Sequence, residues 1–371
     1  MSAKVILMLG TDLASPGGIT AVVSAYLEGG LMQQWPVQYL ATFRRDRLAD
    51  KVLTAARALL VMVGLLARGK VAVVHAHSAA RASFWRKSLF LLLGKWAGAR
   101  TVLHIHSGLF PDYYEKACGR LRKPIVRWIL RSMDRVVVLS SGWQVRLKAI
   151  EPAARLVVIP NPAMSAALPR DRRAGEILFL GRLRQDKGID DLVDAAAMLL
   201  RDWPQAYFVC AGDGDRNRLG ARLNALGIAD RFSFPGWVGG EKKEKLLARA
   251  ALLVLPSYVE GLPMCVLEAM SHGVPVVASR VGGIPEAIGD AAGLLVTPGD
   301  VQGLAGALAQ LMCDEALSQQ LGAAGMARAR RLYSIEAVLD ALGALYASLG
   351  VSVIMKNVPF CAPSQSGAAK P

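Results

Sequence analysis

The sequence predicts an α/β protein with two doubly wound parallel sheets that face a central cleft. Short apolar runs alternate with helix-length stretches from one end of the chain to the other. The runs are apolar throughout rather than in alternation, which is typical of parallel strands covered by helices on both faces. They fall into two successive sets, and 371 residues suffice for two domains.

Each set contains six predicted strands with helical patterns between them. The first set comprises residues 4–9, 37–43, 71–77, 101–107, 135–140 and 156–160, and the second comprises residues 176–183, 206–212, 232–235, 252–256, 275–279 and 293–297. We therefore predict a first domain over residues 1–165 and a second over residues 166–349, joined near residues 161–174. The sequence leaves open whether the last helix packs on the second domain or returns to the first. Residues 350–371 end in small and polar residues, which predicts a disordered tail.

All of the net positive charge lies in the first predicted domain. Residues 1–165 carry 23 Lys and Arg against 8 Asp and Glu, whereas residues 166–371 carry 21 of each. Such a field attracts nucleic acid, an acidic membrane or a phosphorylated substrate. Many of these cations flank apolar stretches, which suits an anionic membrane surface, and the alternative is a solvated basic face. They are Arg44, Arg45, Arg47, Lys51, Arg57, Arg68, Lys70, Arg81, Arg86 and Lys87, then Arg120, Arg122, Lys123, Arg127 and Arg131 near Trp128.

Cysteine spacing and the length of the apolar runs predict the cellular compartment of the protein. The five cysteines are far apart, odd in number and form no Cys-x-x-Cys pair, which favours a reduced compartment and gives no zinc motif. No apolar run reaches about 18 residues, so we expect no spanning helix. The stretches at 58–67 and 89–93 have basic flanks and are expected to be buried or to lie in a membrane interface. We expect a cytoplasmic protein, peripheral on the inner face of the cytoplasmic membrane.

Candidate site residues follow the predicted strands, because ligands of open α/β sheets bind beyond the carboxyl ends of the strands. The strongest motif, after the strand at 252–256, contains Glu260, Gly261, Leu262 and Glu268. Gly261 and Leu262 precede a predicted helix, where unpaired amides can bind an anion or sugar hydroxyls. A carboxylate suits a diol because it accepts from two hydroxyls. The alternative is a surface loop with Glu260 exposed and Glu268 in an ion pair.

Two further motifs stand at strand ends. Arg182 and Lys187 follow the strand at 176–183 and precede a helix, so their charges can bind a diphosphate without a metal. Gly17 and Gly18 lie between the first strand and the first helix, where glycine lets the backbone approach a ligand closely.

Two histidine pairs close neighbouring predicted strands. They are His75 with His77 and His104 with His106, and a spacing of two puts each pair on one face of its strand. Metal binding is conceivable, but carboxylate and cysteine partners at ligand spacing are absent from the sequence around them, so we predict no metal site. His106 is followed by Ser-Gly and is the candidate hydrogen-bond partner at the cleft.

Together these motifs resemble the retaining glycosyltransferases of family 4, whose two Rossmann-like domains form the GT-B fold. The resemblance covers about residues 4–349. It departs from the family at Asp215, where proline is frequent, and this leaves the base of the nucleotide open. The matching positions are the glutamate pair Glu260 and Glu268, the motif Gly181-Arg182 with Lys187-Gly188, the loop Gly17-Gly18, and the strand-end His106.

The resemblance implies a role for each candidate in binding a nucleoside-diphosphate sugar. Arg182 and Lys187 would hold the diphosphate, and Glu268 would accept from ribose hydroxyls. The remaining candidates divide between the donor sugar and the phosphates. Glu260 and the amides of Gly261 and Leu262 would hold the sugar, His106 would lie near the reacting carbon, and Gly17 and Gly18 would approach the phosphates. The catalytic candidates are His106, Glu260, Arg182 and Lys187.

The implied reaction moves a hexose from GDP-mannose or a UDP-sugar to a lipid-linked or glycan acceptor in polysaccharide or glycolipid biosynthesis. Positive charge fixed at the leaving diphosphate would lower the barrier. With both glutamates assigned to binding, no carboxylate is left as an obvious nucleophile, and the resemblance implies same-face attack assisted by the leaving phosphate. We expect no cofactor, no metal and no nucleic-acid partner, and our hypothesis for the acceptor is a polyprenyl-diphosphate-linked glycan. The alternatives are a sugar-nucleotide epimerase of the same fold and a basic nucleic-acid- or membrane-binding protein.

Overall fold

The computed structural model describes residues 4–15, 17–44, 48–164 and 170–353. Arg45, Arg47, residues 165–169 of the predicted linker and residues 354–371 of the expected tail lie outside the described residues.

The first half of the chain forms one parallel six-stranded sheet. Its strands pair in the order β2-β1-β3-β4-β5-β6. All residues of β1 after Val5 are buried, because helices cover both faces of the sheet. The strands are β1 (Val5–Gly10), β2 (Val37–Ala41), β3 (Val71–Ser78), β4 (Arg100–Ile105), β5 (Arg135–Val138) and β6 (Leu156–Val158).

The helices of this half lie on the two faces of that sheet. One face is covered by α3, α4, α6 and α7, and the other by α1 and α2. The helices are α1 (Gly18–Glu28), α2 (Leu31–Gln34), α3 (Leu48–Ala67), α4 (Ala82–Trp96), α5 (Phe110–Asp112), α6 (Arg122–Ser132) and α7 (Ser141–Ile150). A π-helical turn, Tyr113–Ala117, continues α5.

The second half repeats the arrangement with the strand order β12-β11-β10-β7-β8-β9. Its strands are β7 (Glu176–Leu180), β8 (Tyr207–Ala211), β9 (Phe232–Ser233), β10 (Leu252–Leu255), β11 (Val276–Ser279) and β12 (Gly293–Val296). Its α-helices are α8 (Ile189–Asp202), α9 (Arg216–Ala225), α10 (Gly240–Arg249), α11 (Met264–Ser271), α12 (Ile284–Ile288), α13 (Val301–Cys313), α14 (Glu315–Leu332) and α15 (Ile335–Ser348), with 3-10 turns at Gln185–Lys187 and Ala229–Arg231.

The structure confirms the predicted fold class of two doubly wound parallel sheets. Each of the twelve predicted runs overlaps one of these strands, although β1 and β3 end one residue later and β4 begins one residue earlier than predicted. The shortest, β9, pairs at only two residues of the predicted run 232–235. Pro235 ends that run and has no backbone N–H to donate to a neighbouring strand.

The last helix of the described chain packs on the first sheet. The face of α15 that carries Leu342 and Tyr346 is buried against Ile6, Tyr26 and Trp35. The Tyr346 ring meets the Trp35 ring edge-on at a centroid distance of 5.5 Å. The chain therefore returns to its first half after completing the second sheet.

One predicted surface cation is inside the protein. Lys87 is 1% exposed, although its sequence context predicts a place in a basic surface cluster. It lies on the inward face of α4, and its ammonium group donates to the Gly10 carbonyl oxygen at 3.0 Å and to the Thr42 hydroxyl. Burial lowers the pKa of this amine well below its usual value, and the charge of Arg86 lowers it further.

None of the described helices combines the length and the apolar content that a membrane span requires.

Candidate active site

A cavity of about 390 Å³ lies between the carboxyl edges of the two sheets. In each sheet the chain adds strands first on one side of its starting strand and then on the other. This reversal falls between β1 and β3 in the first sheet and between β7 and β10 in the second. Ligands of doubly wound sheets bind at such reversal points. The cavity volume falls in the usual range of small-molecule sites, about 300–1,000 Å³.

Most of the predicted site residues line this one cavity. They are Gly17, Gly18, His106, Lys187, Glu260, Gly261, Leu262 and Glu268. Arg182 follows Gly181 beyond the end of β7 and is not among the lining residues, although Gly181 is. Residues about 240 positions apart in the chain thus form opposite walls of the same space.

On the second-domain wall, Glu260 is held by Lys187. The Lys187 ammonium lies 2.6 Å from Glu260 Oε1, and the Ser257 hydroxyl donates to the same oxygen at 2.8 Å. Lys187 ends a 3-10 turn that Gly188 closes with φ 67°. A Cβ at Gly188 would lie 2.0 Å from the Pro256 carbonyl oxygen. Glycine is therefore required for this turn to pack against the end of β10, which brings Lys187 to Glu260.

Glu268 has a cationic partner that the sequence did not single out. It lies on α11 and is 8% exposed, and its Oε1 is 2.6 Å from the ammonium of Lys243 on α10. Both residues line the cavity. Lys243 stands in the run Glu-Lys-Lys-Glu-Lys, where no local pattern separates it from its solvent-facing neighbours.

On the first-domain wall, α1 begins at the cavity. Gly17 precedes the helix and Gly18 is its first residue. The first amides of a helix have no partner within the helix and carry a partial positive charge, which favours an anion. A Cβ at Gly18 would meet nothing within 4 Å, so the space in front of this backbone belongs to the cavity.

Four stacked histidines lie beneath the same wall. His77 Nδ1 is 2.8 Å from His106 Nε2, and His75 Nε2 is 3.3 Å from His104 Nδ1. The two pairs lie one above the other, with ring centroids 4.6 Å apart for His75 and His77 and 4.1 Å apart for His104 and His106. His75 Nδ1 is 2.7 Å from the hydroxyl of Tyr346 on the last helix.

Burial keeps these four imidazoles neutral. It lowers the pKa of His106 to about 4, although the neighbouring Asn161 side chain acts to raise it, and it lowers the pKa of His75 to about 3. The pKa values of His77 and His104 lie well below their usual range because of burial and the neighbouring histidines. His106, at the cavity, therefore accepts or donates a hydrogen bond as a neutral ring at pH 7.

Three of these rings offer nitrogens that could in principle bind a metal. Nitrogens of His75, His77 and His104 lie within 4.8 Å of one another. However, a metal ion binds in the plane of each imidazole, and the ring of His77 is stacked on the layer that His75 and His104 share. The arrangement fits hydrogen-bonded neutral rings better than a tetrahedral ion.

Two buried polar atoms at the cavity have no hydrogen-bond partner among the described residues. They are His106 Nδ1 and Asn161 Oδ1, and both residues line the cavity. The Asn161 amide nitrogen donates to the Leu262 carbonyl oxygen at 2.6 Å, which fixes the side chain across the cleft. Buried polar atoms are normally satisfied, so these two favour a ligand with hydroxyl groups.

Direct contacts between the halves close the cleft on one side of the cavity. The Trp143 indole donates to the Gly261 carbonyl oxygen at 3.3 Å. A Cβ at Gly108 would lie 2.0 Å from the Glu260 carbonyl oxygen. The loops after β4 and β10 thus meet backbone to backbone, and only glycine permits this approach.

Comparison with protein families gives two matches in tandem. Residues 13–162 match the glycosyl transferase 4-like domain, and residues 174–314 match the glycosyl transferases group 1. Together the two matches cover more than half of the chain, one on each parallel sheet.

Two relatives are sugar transferases by name. The chain is 29% identical over 303 residues to the alpha-D-kanosaminyltransferase of Streptomyces kanamyceticus. The aligned region covers 75% of this chain and 78% of that protein. It is 33% identical over 229 residues to a GDP-mannose-dependent alpha-(1-6)-phosphatidylinositol monomannoside mannosyltransferase of Mycobacterium tuberculosis. That aligned region covers 54% of this chain and 60% of that protein.

Solved structures share the fold. Sucrose-phosphate synthase from Thermosynechococcus elongatus superposes with a TM-score of 0.78 at 23% identity, over 94% of this chain and 99% of that one. Anabaena Alr3699/HepE in complex with UDP-glucose superposes with a TM-score of 0.73 at 19% identity, over 92% of this chain and 99% of that one. At these identities the likeness is one of fold.

Proposed function

We propose that this chain, which belongs to the two-domain glycosyltransferases of the GT-B fold, transfers a hexose with retention of configuration from a nucleoside-diphosphate sugar to a lipid-linked or glycan acceptor. The observation that carries the proposal is the cavity, in which Lys187 with Glu260 and Lys243 with Glu268 face the amino end of α1. Carboxylates suit sugar and ribose hydroxyls, and the ammonium groups and helix end suit phosphates.

The diphosphate would bind between the two walls. Lys187 and Arg182 would approach it from the second domain, and the amides at Gly17 and Gly18 from the first. Glu260 forms an ion pair with Lys187. An arriving diphosphate would share that ammonium, which leaves Glu260 able to accept from sugar hydroxyls. Positive groups of the protein would thus meet the charge that develops on the leaving group, and we propose that no metal ion or cofactor is needed.

Glu268 would bind the ribose and the opposite side of the cavity would bind the sugar. The loop with Gly261 and Leu262 is held by Trp143 and Asn161, which keeps its amides in place for the donor sugar. Near the reacting carbon, His106 Nδ1 would form a hydrogen bond with a hydroxyl group of the sugar. Because Glu260 is paired with Lys187, we propose it as a binding group rather than as the nucleophile. The acceptor would then attack the reacting carbon of the sugar on the same face from which the phosphate leaves.

The donor is proposed as GDP-mannose or a UDP-sugar, in polysaccharide or glycolipid biosynthesis. One relative described above uses GDP-mannose and one structural neighbour holds UDP-glucose, so both bases have support. The epimerase and nucleic-acid alternatives gain no support from the relatives described above.

The acceptor side is proposed to face an anionic membrane in the cytoplasm. Helix α3 leaves large apolar side chains exposed, namely Val52, Leu53, Leu60, Val61 and Val63. Arg57, Arg68 and Lys70 are exposed on or just after the same helix. An apolar face flanked by cations is typical of a helix that lies in the interface of an acidic bilayer.

The test is donor turnover by the purified protein in EDTA. A panel of UDP- and GDP-sugars is supplied with a membrane lipid extract, and release of nucleoside diphosphate is measured. We expect release from one donor, stimulated by lipid, and loss of release in Lys187→Ala and Glu268→Ala with both variants still folded. The matched control is Lys242→Ala, an exposed neighbour on α10. No release together with no thermal stabilisation by UDP or GDP would overturn the proposal.

A further inference from the structure

A second group of cations stands at the carboxyl ends of β1 and β2, outside the donor cavity. The Asp12 amide donates to the Phe43 carbonyl oxygen at 2.8 Å, which ties the residues after β1 to those after β2. From Asp12 the chain continues to Gly17 and Gly18, which line the donor cavity. The region around Phe43 therefore lies at the same edge of the first sheet as the donor cavity, a few residues along one loop.

Two cations meet at the Phe43 ring. The Arg86 guanidinium carbon lies 4.8 Å from the ring centroid and the Lys51 ammonium lies 5.9 Å from it. Arg86 Nε is buried and has no hydrogen-bond partner among the described residues. Within the same described ranges, neither Arg86 nor Lys51 forms an ion pair with a carboxylate. The Asp12 carboxylate lies 3.7 Å from a third cation, Arg44.

A buried amine lies beneath these cations. Lys87, next to Arg86 in α4, donates to the Gly10 carbonyl oxygen and to the Thr42 hydroxyl, and it forms no ion pair with a carboxylate of the described residues. Burial and the charge of Arg86 lower its pKa and so disfavour its charged form. An anion bound at Phe43 would offset the repulsion between Lys51 and Arg86 and would favour the charged form of Lys87.

We infer that this cluster of Phe43, Lys51 and Arg86 binds a phosphate group carried by the acceptor. A guanidinium offers paired N–H groups that fit two phosphate oxygens, and the ring beneath it keeps the guanidinium in place. Lys51 supplies a second charge 5.9 Å from the centroid of the same ring. The inference rests on the proposed function, since it names the acceptor class for that reaction.

The same phosphate chemistry has two possible sources, a lipid headgroup and a soluble phosphorylated sugar. Lys51 is followed directly by Val52 and Leu53, which begin the exposed apolar side of α3. A lipid-linked acceptor could lay its apolar chain along α3 while its phosphate reaches Arg86. The experiment therefore contains one arm for each source.

The first arm uses inorganic phosphate as the probe. Protein saturated with UDP or GDP, so that the donor site is filled, is titrated with phosphate while its melting temperature is followed. We expect an additional rise for the wild type, and about tenfold weaker phosphate binding for Arg86→Gln and for Lys51→Gln. The control Arg57→Gln removes an exposed charge of α3 and should respond as the wild type does.

The second arm compares phosphatidylcholine vesicles that contain either phosphatidate, a phosphomonoester, or phosphatidylglycerol, a phosphodiester, at matched surface charge. We expect tighter sedimentation with phosphatidate, and loss of that preference but not of general vesicle binding in Arg86→Gln. A phosphate response without the vesicle preference would identify a soluble phosphorylated acceptor.

The outcomes of the two arms separate the inference from the proposed function. If Arg86→Gln and Lys51→Gln, both folded, match the wild type in both arms, the inference is wrong. If UDP and GDP fail to stabilise even the wild type, the proposed function is wrong. The phosphate titration is then repeated on the protein without nucleotide, and it tests the inference by itself.

Discussion

The carboxylate of Glu286, on α12 of the second half, accepts hydrogen bonds from the backbone amide of Ser141, the first residue of α7 in the first half. Glu286 Oε2 lies 2.8 Å from the Ser141 nitrogen and 3.3 Å from the Gly142 nitrogen. A carboxylate at a helix amino end satisfies unpaired amides and interacts favourably with the helix dipole. This contact therefore joins the two halves at the rim of the cleft.

We expect Glu286→Gln to loosen that junction. The amide keeps the shape but loses the charge, so the free energy of unfolding should fall by about 1 kcal/mol. The ligand-free protein should also show a larger radius of gyration by small-angle X-ray scattering, because the cleft opens more readily. The matched control is Glu241→Gln, whose exposed pair with Lys245 on α10 lies within one helix. Equal scattering profiles for Glu286→Gln and the wild type would contradict a role in closure.

A second prediction concerns the pair of Lys243 and Glu268. Lys243→Met would leave the Glu268 carboxylate, with 10% of its side chain exposed, without its cation. Because the Lys243 side chain is 25% exposed, water would replace part of the loss, and we expect a cost of about 2 kcal/mol in urea unfolding. The double variant Lys243→Met with Glu268→Leu should recover part of that cost, since no charge then stays buried.

The control for this pair is Lys245→Met on the outer side of the same helix, which should change stability by less than about 0.5 kcal/mol. An additive double variant, with no recovery, would show that the two side chains do not interact in solution.

The sequence predicted those features that follow from local pattern. The continuous apolar runs predicted where the twelve strands lie along the chain, and the strand ends indicated Glu260, Lys187 and Gly18, which line one cavity. Parallel strands share one carboxyl edge, so residues after different strands are brought together whatever their separation in the chain.

Features that depend on contacts between distant elements could not be predicted in this way. Lys243 is one of several lysines on α10, and only the packing of α10 beside α11 selects it for Glu268. Asn161 lies in a segment that resembled a linker, yet its amide crosses the cleft to Leu262. Lys87 looked like a surface cation because helical position relative to the sheet, not residue type, decides its burial.

The histidine array predicts acid sensitivity. The folded-state pKa values of His75, His77, His104 and His106 are lowered, to about 3 for His75 and about 4 for His106, whereas the unfolded chain keeps the ordinary value of 6.5. Between about pH 6.5 and pH 4 the unfolded state therefore binds more protons. The free energy of unfolding should fall with decreasing pH there, by at most about 1.4 kcal/mol per pH unit for each histidine.

The sign and the source of this effect can be checked with His104→Gln. The amide does not titrate and can still bond to His75, so the loss of stability between pH 6.5 and pH 4.5 should be smaller than in the wild type by about one histidine's share. Urea unfolding at several pH values measures both slopes. Parallel curves for the two proteins would mean that His104 is protonated as easily in the folded state as in the unfolded chain.

The variant Gly18→Ala distinguishes an effect on nucleotide binding from an effect on folding stability. A Cβ there would meet nothing within 4 Å, and alanine is favoured over glycine within a helix, so Gly18→Ala should fold with unchanged or slightly higher stability. The added methyl group would occupy space in front of the α1 amides, so we expect nucleotide binding to weaken by about tenfold. Gly306→Ala, on α13 and likewise without neighbours, is the matched control and should gain stability without any change in nucleotide binding. Unaltered UDP or GDP affinity in Gly18→Ala, measured by calorimetry, would show that phosphates do not approach this helix end.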